Sequence, residues 1–328
     1  MNLHDIYDHI ASQLTSFELP FFNESNTFKD LLVLNREIRR LHGNSPDPAF
    51  TPQGQRSCPS APLNNAAPLQ LQQSLGRIQQ LLDLNCDGAP SGFATSLLRI
   101  NGGAHGVGIN LCPDAPCIRT QLDPPLRARF QDPECGQDVC RMADGEAAIK
   151  NTPRVGFDVV LANAALALPE DVTSWTNRDV HLIYAQLLVT LQYVALGGSL
   201  VICLPTRPLS WVVDVIAILR QAFDGSKITA ANLEPDDQAR RPLAYVVCYR
   251  AASEGARNLL MSRLRDAIQA LRRTTGAVAP NLSGATEPTI QVSQQQFVLE
   301  LFKPVWRGQH DATMKQHLKA IQDRARKS

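Results

Sequence analysis

Charge of one sign is what this sequence most plainly lacks. Its 32 lysines and arginines stand against 31 aspartates and glutamates, a net charge of +1. A protein that grips a phosphate backbone with its general surface carries a basic excess, because neutralising phosphates supplies much of the affinity. The balance excludes such a surface unless folding gathers separated cations on one side. The local clusters are Arg36-Glu37-Ile38-Arg39-Arg40, Arg240-Arg241 and Arg324-Ala325-Arg326-Lys327, and each reads first as a solvated helix face or a chain end. No apolar run approaches the ~20 residues of a spanning helix, so no membrane partner is expected. Met1 to Ile10 carries acids and histidines where a signal peptide has a basic run and an apolar core. The CxxC pattern is also missing. Cys112, Cys117, Cys135 and Cys140 form pairs spaced at the loose edge of structural zinc sites, whereas Cys203 and Cys248 sit in strand-like apolar runs. The expectation is free thiols, no metal, and an intracellular location, cytoplasmic or nuclear.

What is present is enough apolar residue for a sizeable core, 44% of the chain. Ile78 to Leu84 reads as a buried strand that ends on an acid, Asp83, and enters a tight loop, Asn85-Cys86-Asp87-Gly88-Ala89-Pro90-Ser91-Gly92. A helix, Phe93 to Ile100, and a second strand, Gly106-Val107-Gly108-Ile109-Asn110-Leu111, complete a βαβ unit. Its first loop lies at the carboxyl end of a parallel strand, where open α/β sheets bind their ligands. Gly88 and Gly92 let the backbone approach a ligand, and the helix amino terminus offers free N–H groups. A nucleotide-like cofactor fits such a place.

Further along, Val139 to Met142 is a candidate third strand and Val155 to Ala162 a fourth. Leu182 to Leu196 has helical periodicity, with Gly197-Gly198 as its expected stop, and Leu200 to Leu204 follows as a strand. Trp211 to Phe223 reads as a helix, Lys227 to Asn232 and Ala244 to Tyr249 as the last strands, an antiparallel hairpin at the sheet edge. The fold class is α/β: a Rossmann-like sheet with helices on both faces, an antiparallel edge strand, and extra helices at both termini. The boundaries expected are a helical extension over 1–42, a flexible linker over 43–68, one Rossmann-like domain over 69–250 and packing helices over 251–328. In that last part a charged helix covers 253–275 and one or two closing helices cover 293–325, with Phe297, Leu301, Phe302, Val305 and Trp306 facing the core.

Several of these segments together carry a resemblance. Asp83-Leu84, Ala89-Pro90-Ser91-Gly92-Phe93 and Gly106-Val107-Gly108-Ile109 occur in order with Phe157-Asp158-Val159-Val160-Leu161-Ala162-Asn163, Leu196-Gly197-Gly198-Ser199-Leu200-Val201-Ile202 and Ala244-Tyr245-Val246-Val247-Cys248. The series resembles the FtsJ/RrmJ-like methyltransferases, and most closely their divergent fungal type, over about residues 75–250. That resemblance implies S-adenosylmethionine as cofactor, with Asp83, Asn85, Gly88, Ala89, Pro90, Gly92 and Phe93 toward its amino-acid and ribose parts. Asn110 takes the place of the usual ribose-binding acid, and Asp144 is the candidate acceptor for the adenine amino group. The stretch from Asp83 to Ala89 is longer than the family pattern, which makes Cys86-Asp87 an insertion beside the pocket.

The catalytic positions depart further. The family activates a ribose hydroxyl with a Lys-Asp-Lys-Glu tetrad. Here the resemblance puts Asn163 at the aspartate, Cys203 at the central lysine and Leu243 or Ala244 at the glutamate, while Arg77 is the only base near the first lysine. Asp158, His181 and Tyr184 remain as polar groups near the acceptor. Methyl transfer owes much to positioning, so loss of acid–base groups does not abolish transfer to a more nucleophilic acceptor. It does argue against ordinary ribose methylation. The reading is a methyltransferase whose acceptor, a small molecule or RNA, stays open, as does its oligomeric state. The alternatives are an inactive fold kept as a binding or scaffold module, and an enzyme acting on a small molecule without methyl transfer.

Overall fold

The computed structural model describes residues 3–42, 75–84, 93–109, 122–131, 139–163, 176–231, 242–273 and 281–327. The expected linker over 43–68 lies outside them. Its strands are β1 (Gln80–Asp83), β2 (His105–Gly108), β3 (Phe130–Gln131), β4 (Phe157–Ala162), β5 (Val194–Pro205), β6 (Thr229–Ala231) and β7 (Leu243–Cys248). They form one sheet in the order β3-β2-β1-β4-β5-β7-β6. The first five positions are parallel, and β7 runs antiparallel between β5 and β6. The expected Rossmann-like α/β sheet is therefore present. The expected antiparallel hairpin closes the sheet: β6 is its edge strand, paired antiparallel with β7, which is buried along its whole length.

Helices α1 (Leu3–Ala11), α2 (Leu19–Glu24) and α3 (Asn26–His42) precede the sheet, and α4 (Phe93–Ile100) joins β1 to β2. The connections onward hold α5 (Pro124–Arg127), α6 (Val139–Ala143), α7 (Asn177–Tyr193) and α8 (Ser210–Ala222), with α9 (Glu254–Arg273) and α10 (Glu287–Lys327) after β7. Leu81 and Leu82 are fully buried in β1, as a strand covered on both faces requires. Phe93, Ala94, Leu97 and Leu98 make the buried side of α4. The Arg129 guanidinium donates to the carbonyls of Leu98, Asn101 and Ala104, satisfying the carboxyl end of α4. That single side chain ties α4 to the edge of the sheet.

Two sequence expectations are corrected here. Val139 to Met142 is helix α6, not a strand, and the third strand is Phe130–Gln131. Alternation would put Val139 and exposed Arg141 on one face, whereas a helical turn buries Val139, Met142 and Ala143 together. Gly197-Gly198 does not stop a helix either. Helix α7, opened by a Thr176–Asp179 capping box, ends at Tyr193, and the glycines lie within β5. Val194 faces Phe157 and Ser199 faces Val159, so β5 bulges where it meets β4. A Cβ on Gly198 would stand 2.9 Å from the Phe157 carbonyl oxygen, and one on Gly156 (φ 89°) 2.7 Å from that of Tyr193. The close approach of the two strands demands glycine.

The terminal helices attach just beyond the end of β5. Arg207 forms a two-armed ion pair with Glu18, which is 0% exposed and also accepts hydrogen bonds from Thr15 N and Oγ1. Trp306 Nε1 donates to the Thr206 carbonyl (3.0 Å), and Gln309 Nε2 to that of Leu243 (3.3 Å). Phe28 of α3 stacks on Trp306 with ring centroids 4.7 Å apart. Helix α10 is one element of 41 residues with Pro304 inside it, where one or two helices from residue 293 were expected. Leu301, Phe302, Val305 and Trp306 are buried as foreseen, while Phe297 is partly exposed under the Arg220 guanidinium.

Removing one member of a buried pair strands the other charge, so Glu18→Ala is expected to cost about 3–5 kcal/mol. The double variant Glu18→Leu, Arg207→Met should cost less than either single change, as read from urea midpoints. A loss below about 1 kcal/mol in the single variant would show that water reaches the pair.

A second buried acid, Asp214 on α8, accepts the backbone N–H groups of Leu282 and Ser283 and pins the turn before α10. Burial raises its carboxyl above the ordinary range, against the lowering effect of those hydrogen bonds. A raised acid contributes stability fully below its unfolded value and loses it as pH climbs through the folded value. The stability difference between the wild type and Asp214→Asn should therefore shrink as pH rises from the ordinary carboxylate range upward. Denaturant midpoints between pH 4 and 8 test this, and a difference that grows with pH would reverse the sign.

Candidate cofactor and acceptor site

In an open sheet the ligand crevice opens where the strand order reverses, here between β1 and β4, at the carboxyl ends of the parallel strands. Asp83 ends β1 there and is 4% exposed. Its carbonyl accepts from Ile109 N (2.7 Å), and Leu84 N donates to the Leu161 carbonyl (2.9 Å). These bonds hold the ends of β1, β2 and β4 at one level. Phe93 opens α4 and is buried. Among the other cofactor candidates, Asn85, Gly88, Ala89, Pro90, Gly92 and Asn110 lie outside the described residues.

The register across β4, β5 and β7 fixes which residues share the neighbouring part of that edge. Ala162 faces Ile202, so Asn163 comes level with Cys203, and Cys203 faces Tyr245 on the next strand. Ala244 and Leu243 follow opposite Leu204 and Pro205. The positions that the family resemblance singled out are thus neighbours, although they are separated by tens of residues in the chain. Because β7 is antiparallel, its beginning reaches the same edge as the ends of β4 and β5.

Other candidates do not gather there. Asp158 receives the N–H groups of Gln79 (2.8 Å) and Gln80 (2.9 Å) at the opposite, amino end of β1. Its role is to fasten β1 to β4. Tyr184 is enclosed within α7, and burial together with the Asp214 charge pushes its hydroxyl far above the usual range. It is a core residue. His181 stands in the second turn of α7, partly exposed.

Asp144 follows helix α6 rather than a strand, which removes the geometric ground for its adenine assignment. Its Oδ2 is 2.5 Å from Arg272 Nη2, on the last turn of α9. The hydrogen bond that Arg272 donates to Asp144 holds the guanidinium more firmly protonated than usual. The strand end that the assignment needs is at Gln131, and residues 132–138 after it lie outside the described residues.

Sequence patterns could not reveal two features of this edge. Phe93 and Tyr245 stack with centroids 6.1 Å apart and planes at 23°, though more than 150 residues separate them. Glu18 and Arg207 likewise meet only in the folded chain. No local signal marks either pair.

No protein-family model matches the chain, and no curated protein matches it. Solved structures do resemble it. One is a Plasmodium falciparum protein described as a ribosomal RNA methyltransferase, at 18% identity and TM-score 0.36, covering 60% of this chain and 98% of the other. A second is the S-adenosylmethionine-dependent methyltransferase SibL, at 14% identity and TM-score 0.39, covering 72% and 73%. An O-methyltransferase family protein from Burkholderia thailandensis is 14% identical with TM-score 0.35, covering 69% and 73%. Scores this low carry no weight on activity, and the fold class rests on the strand order and register given above.

The Asp144–Arg272 pair has side chains 19% and 45% exposed, so solvent screens it and its loss should cost no more than about 1 kcal/mol. Asp144→Asn is accordingly expected to leave the affinity for S-adenosylhomocysteine within twofold of wild type by calorimetry. A tenfold drop would restore Asp144 to the adenine position.

Proposed function

We propose that the chain is an S-adenosylmethionine-dependent methyltransferase of a divergent FtsJ-like kind, with the cofactor across the ends of β1 and β2 and the acceptor over β4, β5 and β7. The observation that carries this is the sheet order β3-β2-β1-β4-β5-β7-β6, with its reversal beside a buried acid, Asp83. The residues present fit the group. Asp83 puts a buried anionic acceptor at the carboxyl end of β1, a chemistry suited to a group that carries an ammonium and hydroxyls. When bound, the cofactor supplies a methyl group made electrophilic by its sulfonium.

The chain's own part is positioning. Asp83 anchors one end of the cofactor, and the helical segments attached at Thr206 and Arg207 keep water from the β5 side of the site. Asn163 offers an amide that orients an acceptor without taking its proton. Cys203 and Leu243 contribute neither the ammonium nor the carboxylate with which FtsJ-like enzymes activate a ribose. The site aligns an acceptor and leaves its ionisation to the acceptor itself.

Ligand binding to the native state alone stabilises by RT ln(1 + [L]/Kd), about 2.7 kcal/mol at a hundredfold excess over Kd. S-adenosylhomocysteine should raise the melting temperature of the full chain by several degrees, and Asp83→Ala should abolish the rise. Absence of any shift and any calorimetric heat at millimolar ligand would defeat the proposal. Binding without methyl transfer to any acceptor would leave the fold as a non-catalytic binding module.

A further inference from the structure

We infer that the last turns of α10, beside the end of α3, form a docking groove for an acidic amphipathic helix of another protein. This surface lies outside the cofactor site and does not depend on the methyltransferase reading.

Helix α10 runs alongside α8 in the opposite direction. Its Gln294 and Phe297 meet Arg220 near the end of α8, while Trp306 and Gln309 meet Thr206 and Leu243 at the carboxyl edge of the sheet. Residues 310–327 therefore continue past that edge, about 27 Å of helix at 1.5 Å per residue. Helix α3 accompanies them. Phe28 stacks on Trp306, and Leu34 further along α3 is buried although it stands apart from the contiguous hydrophobic core. Thr313, a similar step beyond Trp306 on α10, is buried too. The two helices thus leave the sheet side by side and in the same direction.

On this stretch of α10, Met314, Leu318 and Ile321 recur at spacings of four and three residues, and Ala325 continues the series. That is the seam of a coiled coil, narrower than the apolar face with which a helix packs on a globular core. Thr313 and His317, one position earlier in each turn, are buried and half-buried, so the seam borders the side that α3 covers. Leu318 and Ile321 are nevertheless 52% and 49% exposed. A third helix laid in the groove would cover both side chains and touch α3 along its flank.

Charge selects the occupant. The clusters Arg36-Glu37-Ile38-Arg39-Arg40 and Arg324-Ala325-Arg326-Lys327, far apart in the chain, lie on this one arm. Residues 36–42 and 310–327 hold eight lysines and arginines against three acids, +5 in a chain whose net charge is +1, so the rest of the molecule is net acidic. Lys315 and Lys319 follow the seam residues along one side and are exposed. In coiled coils the charges beside the seam set the choice of partner, and opposite charges pair. A second copy of this arm would bring like charges together. A bilayer takes a broader apolar face than one narrow seam. A phosphate backbone is held through its charge and would leave the leucine and isoleucine uncovered. A helix with aliphatic residues in its seam and glutamates beside them answers both the apolar and the basic feature.

The test uses the full chain and a synthetic three-heptad helix with leucine in the seam and glutamate beside it. The controls are the same peptide with lysine beside the seam, vesicles of phosphatidylserine and phosphatidylcholine, and a single-stranded RNA. By calorimetry at low salt the glutamate peptide should bind about tenfold more tightly than the lysine peptide, and added salt should shrink that preference. Leu318→Gln together with Ile321→Gln should weaken the glutamate peptide about tenfold. Lys315→Glu together with Lys319→Glu should weaken the glutamate peptide and strengthen the lysine peptide, a reversal that a damaged fold cannot produce. Equal affinity for the two peptides, or none for either, would overturn the inference. Tighter binding of the vesicles or the RNA than of the glutamate peptide would overturn it as well. So would self-association of the full chain that Leu318→Gln with Ile321→Gln abolishes, since the seam would then belong to a second copy.

Discussion

The structure depends on what happens in the two residues after β5. Thr206 gives its carbonyl to Trp306, and Arg207 gives its guanidinium to Glu18, so both ends of the chain are fastened to the carboxyl edge of the sheet. Each contact is expensive to lose, because an indole N–H, a carbonyl and two opposite charges all lie out of water there. The same region borders the acceptor side of the site. Stability and the surroundings of the proposed chemistry are therefore set by one set of bonds, with the terminal helices forming part of the site's wall.

That arrangement bears on the proposed reaction. Here the end of β5 is closed off by Trp306, Phe28 and the Glu18–Arg207 pair, and Cys203 faces the ring of Tyr245. An environment of this kind penalises isolated charge. Under the proposed reading, rate comes from alignment of the acceptor. Proximity supplies more of such a reaction than acid–base assistance does.

The glycines show how differently local and long-range constraints read. Gly197 and Gly198 look like a helix stop, since glycine ends helices readily. Their occupation is a bulge that lets β5 approach β4, where any side chain at Gly198 would strike the Phe157 carbonyl. The sequence marks the spot as special but does not say which partner comes near. Val139 to Met142 failed for a related reason. Three apolar residues around Arg141 suit either period until the exposure of that arginine is known.

Much of the sheet was legible in the chain because a strand covered on both faces must be apolar almost continuously, and Leu81-Leu82, Val159-Val160-Leu161 and Val201-Ile202 are such runs. Helix α4 was legible to the residue, since its apolar spacing and flanking loop are both local. Asp83 could be singled out because an acid at the end of an apolar run is an anomaly that needs a reason. The sequence by itself therefore determined most of the strands and helices and the fold class they build. Only the tertiary structure decided which residues share the carboxyl end of the sheet. The level of Asn163 with Cys203, the stack of Phe93 on Tyr245 and the clasp of Glu18 on Arg207 follow from strand register and helix docking. Those contacts join segments far apart in the chain, and no periodicity within either segment encodes its partner.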